Sequence, residues 1–484
     1  MKLFRTLGIT SIVALALMGS ATGQSWTFLT NQPGAQVGTM LQLRDGRVLV
    51  HEPSGTDWLI LTPDANGSYV NGTWSSGGSM AALGYAPLYY GSQVLLNGRQ
   101  VVIEGGEYNF GNADWTTLGA IGTVTPFSGP LTWAANAPPA GWGSIGDAQS
   151  LILPDGRYMQ ANCCTQQSAF FNGPNSWLPN GNILGPLNDE GGYTLLPSGK
   201  VLMVDAWNAG CSGNKSSELF DPTTDTWSCG PATPTQLWDS SGHELGPAIL
   251  MHTGKVFQVG ATNSTAVYNP KTNKWAAGPT PAGGLTGYDA PGSLEPNGKV
   301  LVMLGPSGFG NGCQFMEYAP STNTLANTVN PADCPSDPSF VGHLMILPTG
   351  QIMFTDFSGF VEIYTPAPGV DSNAKPSISF GGLVNLSSGA KNDVLDGYQL
   401  NGLGQNNAYG DDYQADTDFP LVRLTSVADG TVHYAFTHDD SSHSIAPKAF
   451  GSTMFDLPVL TPGFYDLVAV VNGIASNTIR VNIR

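Results

Sequence analysis

The chain has 484 residues, of which 11% are charged, with 62 Gly, 35 Pro and a net charge of −18. At 41% hydrophobic it is too apolar for a disordered polymer, and it lacks the Lys/Arg stripes that a phosphate backbone requires, so no nucleic-acid partner is expected. No long 3.6-residue periodicity occurs, and the expectation is an all-β chain of short strands joined by Gly/Pro turns.

Lys2 and Arg5 precede an apolar run from Leu7 to Met18 and the small residues Gly19 to Gly23, the pattern of a secretory signal. Residues 1–23 are expected to be this signal, with an uncleaved anchor as the alternative, and the mature chain to begin near Gln24. The run is too short to span a bilayer and no later run of about 18 apolar residues exists, so a secreted or cell-envelope protein without a membrane span is expected. The six cysteines fall as neighbours, Cys163 with Cys164, Cys211 with Cys229 and Cys313 with Cys334. Structural disulfides fit better than metal thiolates, because no C-x-x-C spacing or nearby His accompanies them.

From residue 24 onward one hairpin recurs: an apolar run, a turn ending in Gly, and a second apolar run. Leu153-Pro154-Asp155-Gly156-Arg157 is the clearest copy, and the turn glycines are Gly46, Gly98, Gly156, Gly199, Gly254, Gly298 and Gly350. Their loose spacing of about 50 residues is that of a kelch-type propeller blade with four strands. Each unit continues through a Pro/Gly turn to a tryptophan, as in Phe220-Asp221-Pro222 to Trp227 and Tyr268-Asn269-Pro270 to Trp275, with looser copies at Trp74, Trp133 and Trp177 and Leu325 in one unit. The last unit runs through Tyr364-Thr365-Pro366 without a tryptophan. Ser25-Trp26-Thr27-Phe28 is expected to supply its missing strand and close a seven-bladed ring over residues 24–372. Beyond Lys375-Pro376 the repeat stops. Alternating segments such as Val432 to Phe436 and Asp466 to Val471, with Pro462-Gly463-Phe464-Tyr465 as a tyrosine-corner signature, predict an Ig-like β-sandwich over residues 376–484.

This organisation resembles galactose oxidase and the copper-radical carbohydrate oxidases, and still more the bacterial secreted kelch-repeat proteins of that architecture. Local likeness is best at Leu153 to Arg157 and from Thr437-His438-Asp439 to Tyr465. The resemblance implies a copper held by tyrosine and histidine nine or ten residues before the turn glycines, with a Tyr-His pair ahead of one Pro-Asp-Gly-Arg turn. The residues nine before each glycine are instead Val37, Tyr89, Asp147, Glu190, Leu245, Asp289 and Val341, and the chain has no Tyr-His pair. Only His438 and, less closely, Tyr89 match, so the copper oxidase reading is disfavoured.

That phase carries acids instead: Asp147, Glu190 and Asp289, with Glu244 one residue from it, and His243, Tyr288, Tyr89 and His343 nearby. They are expected to converge on one mouth of the ring. There they fit acid/base work on a glycoside, oxygen ligation of Ca²⁺, acceptance of sugar hydroxyls, or a structural role in loop hydrogen bonding. Asp411, Asp412, Asp416 and Asp418 form an acidic loop, read either as solvated or as a Ca²⁺ site. His438, Asp439, Asp440 and His443 are read either as facing the mouth or as an exposed turn. Trp58, Trp115, Trp142, Trp207 and Trp238 lie outside the repeated tryptophan position and suit sugar stacking or packing between blades. No G-x-S-x-G signature appears. The leading expectation is a glycan-binding or envelope-binding propeller. A carbohydrate oxidase, hydrolase or lyase and a surface-protein platform are the alternatives.

Overall fold

The computed structural model describes residues 23–207, 210–379, 384–405, 407–409 and 416–484; most of the expected signal, together with Asp411 and Asp412, lies outside the described residues. The chain is all-β with the antiparallel meanders of a β-propeller, and the described helices are five short 3₁₀ turns. The recurring hairpin sets the plan. Gly46, Gly98, Gly156, Gly199, Gly254, Gly298 and Gly350 all have φ between +66° and +87°. Each donates its N–H to the carbonyl three residues earlier. Only glycine takes that left-handed conformation freely, which is why the turn ends in Gly whatever precedes it.

Around every hairpin but the last, four strands meander in chain order, as in Leu245–Leu250, Val256–Gly260, Thr265–Asn269 and Lys274–Ala277. The first strands lie side by side: Met40–Gln42 beside Gly91–Val94, and Gly91–Val94 beside Ser150–Ile152. Farther on, Thr194–Leu195 lies beside Leu245–Leu250, then Pro291–Leu294, then His343–Ile346, which returns to Met40–Gln42. Leu151, Met159, Leu195 and Val201 share one buried cluster across the remaining junction.

The fourth strand carries the repeated tryptophan in a constant register. Trp74 pairs with Leu61, Trp133 with Gly122, Trp177 with Phe171, Trp227 with Phe220 and Trp275 with Tyr268. In the sheet of His343–Ile346, Ile352–Thr355 and Glu362–Thr365 the fourth strand is Ser25–Phe28, and Trp26 pairs with Tyr364. The Trp26 ring packs 4.9 Å from Phe315, 5.0 Å from Tyr364 and 5.5 Å from Phe354, and its Nε1 donates to the Val329 carbonyl at 2.8 Å. Three disulfides, Cys163–Cys164, Cys211–Cys229 and Cys313–Cys334, tie loops of the meanders.

Most of the chain past residue 376 forms antiparallel strands around a separate core that includes Leu395, Val422, Phe455, Leu467 and Val481. Val432–His438 pairs with Leu421–Ser426 through its first half and with Phe450–Asp456 through its last residues. The Tyr465 hydroxyl donates to the Thr461 carbonyl at 2.9 Å. This part packs on the hairpin-turn ends of the meanders, where Thr437, Asp439 and His443 donate their N–H groups to the carbonyls of Arg44, Leu96 and Pro154. One stretch leaves it. Asn407–Tyr409 pairs antiparallel with Pro291–Leu294. Asn407 Oδ1 accepts from Ile346 N at 2.9 Å, and Gln405 Oε1 accepts from Leu195 N at 2.7 Å. The chain therefore runs up the space that the first strands enclose, instead of remaining with its own sheet.

Candidate functional site

The turn glycines fix the phase, and nine to eleven residues upstream the chain bends sharply before five of the seven first strands. Tyr89, Glu190 and Asp289 make that bend with φ of 51°, 60° and 40°, while Gly146 (68°) and His243 (69°) make it just before Asp147 and Glu244. A left-handed residue with a side chain costs about 1–2 kcal/mol. Strain of this kind persists where the surroundings enforce it, and it concentrates at binding and catalytic positions.

These bends aim their side chains into one cavity of about 330 Å³. Tyr89, Asp147, Glu190, Glu244 and Asp289 line it, joined by Glu107, Tyr108, Phe309, Phe340 and Tyr409. Glu190, Glu244 and Asp289 each bring one carboxylate oxygen within 4.8 Å of the other two. Val37 and Leu245, at the same phase, are buried apolar side chains instead.

Crowding several acids into a half-buried space raises their proton affinity. Burial pushes Glu107 up to about 7, opposed by a hydrogen bond with Tyr108 and helped by the charges of Glu244 and Asp189. Burial also lifts Asp189 to about 6, against a Trp207 hydrogen bond and the His243 charge. Glu244 is raised mainly by burial, against hydrogen bonds with Asp289 and Glu190. The cavity therefore holds two carboxyl groups of raised proton affinity, Glu107 and Glu244, among acceptors for hydroxyl or ammonium donors. Three oxygen donors within 4.8 Å are also a spacing that a hard cation such as Ca²⁺ accepts.

His243, Tyr288 and His343 stand behind the lining. His243 is clamped between Trp207 (4.0 Å, 4°) and Trp238 (4.8 Å, 11°), with Nδ1 donating to the Ala206 carbonyl at 2.7 Å. Tyr288 packs its ring edge against Phe309 at 5.1 Å. Burial holds His343 at about 3, so the ring is neutral; it stacks on Tyr409 (5.0 Å, 5°), which in turn stacks on Tyr89 (6.0 Å, 15°). Asp147 also groups with Cys163 and Asp189, but Cys163 is disulfide-bonded and offers no thiolate.

Other expectations are corrected. His438 does not face the cavity: it is buried at the hairpin-turn end, with Nδ1 2.7 Å from Asp439 and Nε2 3.3 Å from Asp456, so both nitrogens are engaged. His443, Asp439 and Asp440 lie at that same end, and neither His443 nor Asp440 is an exposed turn residue. Asp416 and Asp418 are not solvated: their side chains are enclosed beneath the first strands. Trp58 is spent on packing between His51 (4.3 Å) and Trp133 (5.0 Å), as Trp207 and Trp238 are on His243, whereas Trp115 is exposed.

Glu107, Tyr108, Phe309, Phe340 and Tyr409 were not anticipated. The first two follow Gly105-Gly106, both at positive φ, where the chain leaves Gln100–Glu104. That double glycine was the available signal. Tyr409 arrives by the long-range insertion, for which no local pattern exists.

Among solved structures, a fungal alcohol oxidase of the AA5 family in complex with copper matches 95% of this chain and 98% of its own, with a TM-score of 0.50 at 12% identity. A streptogramin B lyase (TM-score 0.47, 12% identity) and a catalytically inactive virginiamycin B lyase from Staphylococcus aureus with quinupristin (0.48, 11%) each match 71% of this chain and 98% of theirs. The likeness to the alcohol oxidase is one of fold. No family model matches the chain, and no curated protein matches it. Copper is not what the cavity is made for: its described donors are five carboxylates and three phenols with no imidazole, whereas Cu(II) sites combine imidazole nitrogen with oxygen in tetragonal geometry.

Proposed function

We propose that the chain is a secreted, seven-bladed kelch-type propeller of the galactose oxidase architecture, closed by Ser25–Phe28 and followed by an Ig-like domain over 376–484, that binds an extracellular glycan at its acidic mouth. The constant register of the fourth-strand tryptophans, shared by Trp26, supports the ring. The observation that carries the binding reading is the joint lining of one 330 Å³ cavity by five carboxylates and five aromatic rings. Carboxylates accept sugar hydroxyls, and aromatic faces cover the apolar faces of sugar rings. An acidic mouth repels uronic and sialic acids, so neutral or amine-bearing sugars are the favoured class.

A glycan array probed with the purified protein tests this. Binding to neutral or amino-sugar glycans that is lost in an Asp147/Glu190/Asp289 triple alanine variant supports the reading. Binding that survives assigns the acids a structural role, and no binding to any glycan favours a protein-interaction platform. A second reading, glycoside hydrolysis, draws on Glu107, whose carboxyl burial raises to about 7, in a cavity lined by four further carboxylates that could serve as its partner. Release of new reducing ends from an array-selected glycan, abolished by Glu107→Gln, is its signature.

A further inference from the structure

A second group of chemistry-bearing side chains lies in the enclosed space toward the hairpin-turn end, apart from the mouth. Asp416, Asp418 and His443 each bring one ligand atom within 4.8 Å of the others. Asp416 Oδ2 lies 2.7 Å from His443 Nε2, and Asp416 Oδ1 accepts the Asp418 N–H at 2.7 Å. Asp418 Oδ1 accepts from Asn472 Nδ2 at 2.6 Å.

These three residues line a void of about 10 Å³, room for one water-sized atom, together with Gln93. Gln93 is 1% exposed and its Oε1 has no partner among the described residues; His443 is 2% exposed and its Nδ1 has none either. Orphaned buried polar atoms of this kind are unfavourable unless something fills the void. In the neutral ring with Nε2 donating to Asp416, Nδ1 carries the lone pair, and both orphans are then acceptors. Charge points the same way. The nearby cation, Arg44, pairs with Asp440 at 2.6 Å in a fully buried pair and reaches Asp416 only through its charge, so two adjacent buried carboxylates still face one imidazole.

We propose that Asp416, Asp418 and His443, with the amide oxygen of Gln93, form a site for one divalent transition-metal cation of the zinc–manganese class. A mixed set of carboxylate oxygen and imidazole nitrogen suits these ions, whereas Ca²⁺ takes oxygen alone. The ion takes the free Nδ1 of His443 while Nε2 keeps its contact with Asp416, and it ties Asp416–Asp418 to Ser442–Ser444, so its role is to anchor the inserted chain beneath the mouth.

The test uses the full secreted chain, stripped with EDTA and dialysed against Zn²⁺ or Mn²⁺, with bound metal measured by plasma mass spectrometry and melting followed in parallel. The expected result is one equivalent bound and a raised melting temperature in the wild type. Retention should fall at least tenfold in Asp418→Asn and in His443→Gln and stay unchanged in Glu190→Gln. A wild-type protein that holds no stoichiometric ion, its void filled by water alone, overturns the proposal whether or not the variants fold. So does an ion retained by both variants, or one lost in Glu190→Gln, which would belong to the mouth.

Discussion

Glu107 offers a test of the mouth's electrostatics that needs no ligand. Its carboxyl is raised from an ordinary 4.5 to about 7, first of all by burial. The folded protein therefore holds this proton more tightly than the unfolded chain does. Stability falls as pH rises from about 4.5 to about 7, and above that window the full penalty of ionising Glu107 in place is present. Each pH unit of that interval is worth about 1.4 kcal/mol, or about 3.4 kcal/mol in all. The side chain is only half-buried, so solvent screening brings the expected penalty to about 2 kcal/mol. Glu107→Gln keeps the shape and the hydrogen bonding of the neutral acid but cannot ionise. Against wild type it should be of equal stability at pH 4.5 and more stable by about 2 kcal/mol at pH 8.5, read from chemical denaturation followed by tryptophan fluorescence. Comparing variant with wild type at each pH cancels the other acids, Glu218 and Glu362 among them, that burial also raises. A difference of the same size at both pH values would refute the claim that Glu107 is held protonated by its surroundings.

Three further outcomes follow from the same structure. Trp26→Ala removes a half-buried indole and its bond to the Val329 carbonyl and should destabilise by about 2–3 kcal/mol, less than a fully buried tryptophan; a loss below about 0.5 kcal/mol in a urea melt would mean that Ser25–Phe28 does not close the last sheet. Glu190→Gly relieves a left-handed side chain and should leave the fold as stable or gain up to about 1 kcal/mol while weakening ligand binding; a structural carboxylate predicts destabilisation instead. Asp440→Ala strands the buried Arg44 guanidinium, which also lies 4.2 Å over the Phe419 ring, and should cost about 3–5 kcal/mol in the same assay, with a cost under about 1 kcal/mol arguing against a desolvated pair.

The ring was legible because its signal is local and repeated. A hairpin that needs a left-handed glycine announces itself seven times, and the tryptophan that pairs with Phe220 or Tyr268 recurs at one register. Trp26 could be assigned to the far end of the chain only because that register had a gap. The same phase located Tyr89, Asp147, Glu190 and Asp289 in one cavity. It missed Glu107 and Tyr108, which hang from the exit of a second strand, and Phe309, which comes from a loop; Phe340 sits ten residues before Gly350, the offset of Glu244 from Gly254, and was passed over because only polar side chains were sought there. Tyr409, Asp416 and Asp418 were illegible for another reason. An acidic stretch looks solvated when read alone, and only the long-range pairing of Asn407–Tyr409 with Pro291–Leu294 shows that the chain enters the space between the first strands. His438 failed in the opposite sense: a local likeness to a metal-ligand stretch survives at the turn end, where Asp439 and Asp456 already engage both nitrogens.

The proposed function requires that the mouth carboxylates contact a ligand. Isothermal titration of the strongest array-selected glycan into wild type and into a Glu190→Gln/Asp289→Asn protein tests it most directly. Hydrogen bonds to charged acceptors contribute about 1.5–3 kcal/mol each, so the double variant should bind at least tenfold more weakly while melting at or above the wild-type temperature. Equal affinity in the two proteins would show that these carboxylates do not contact the ligand.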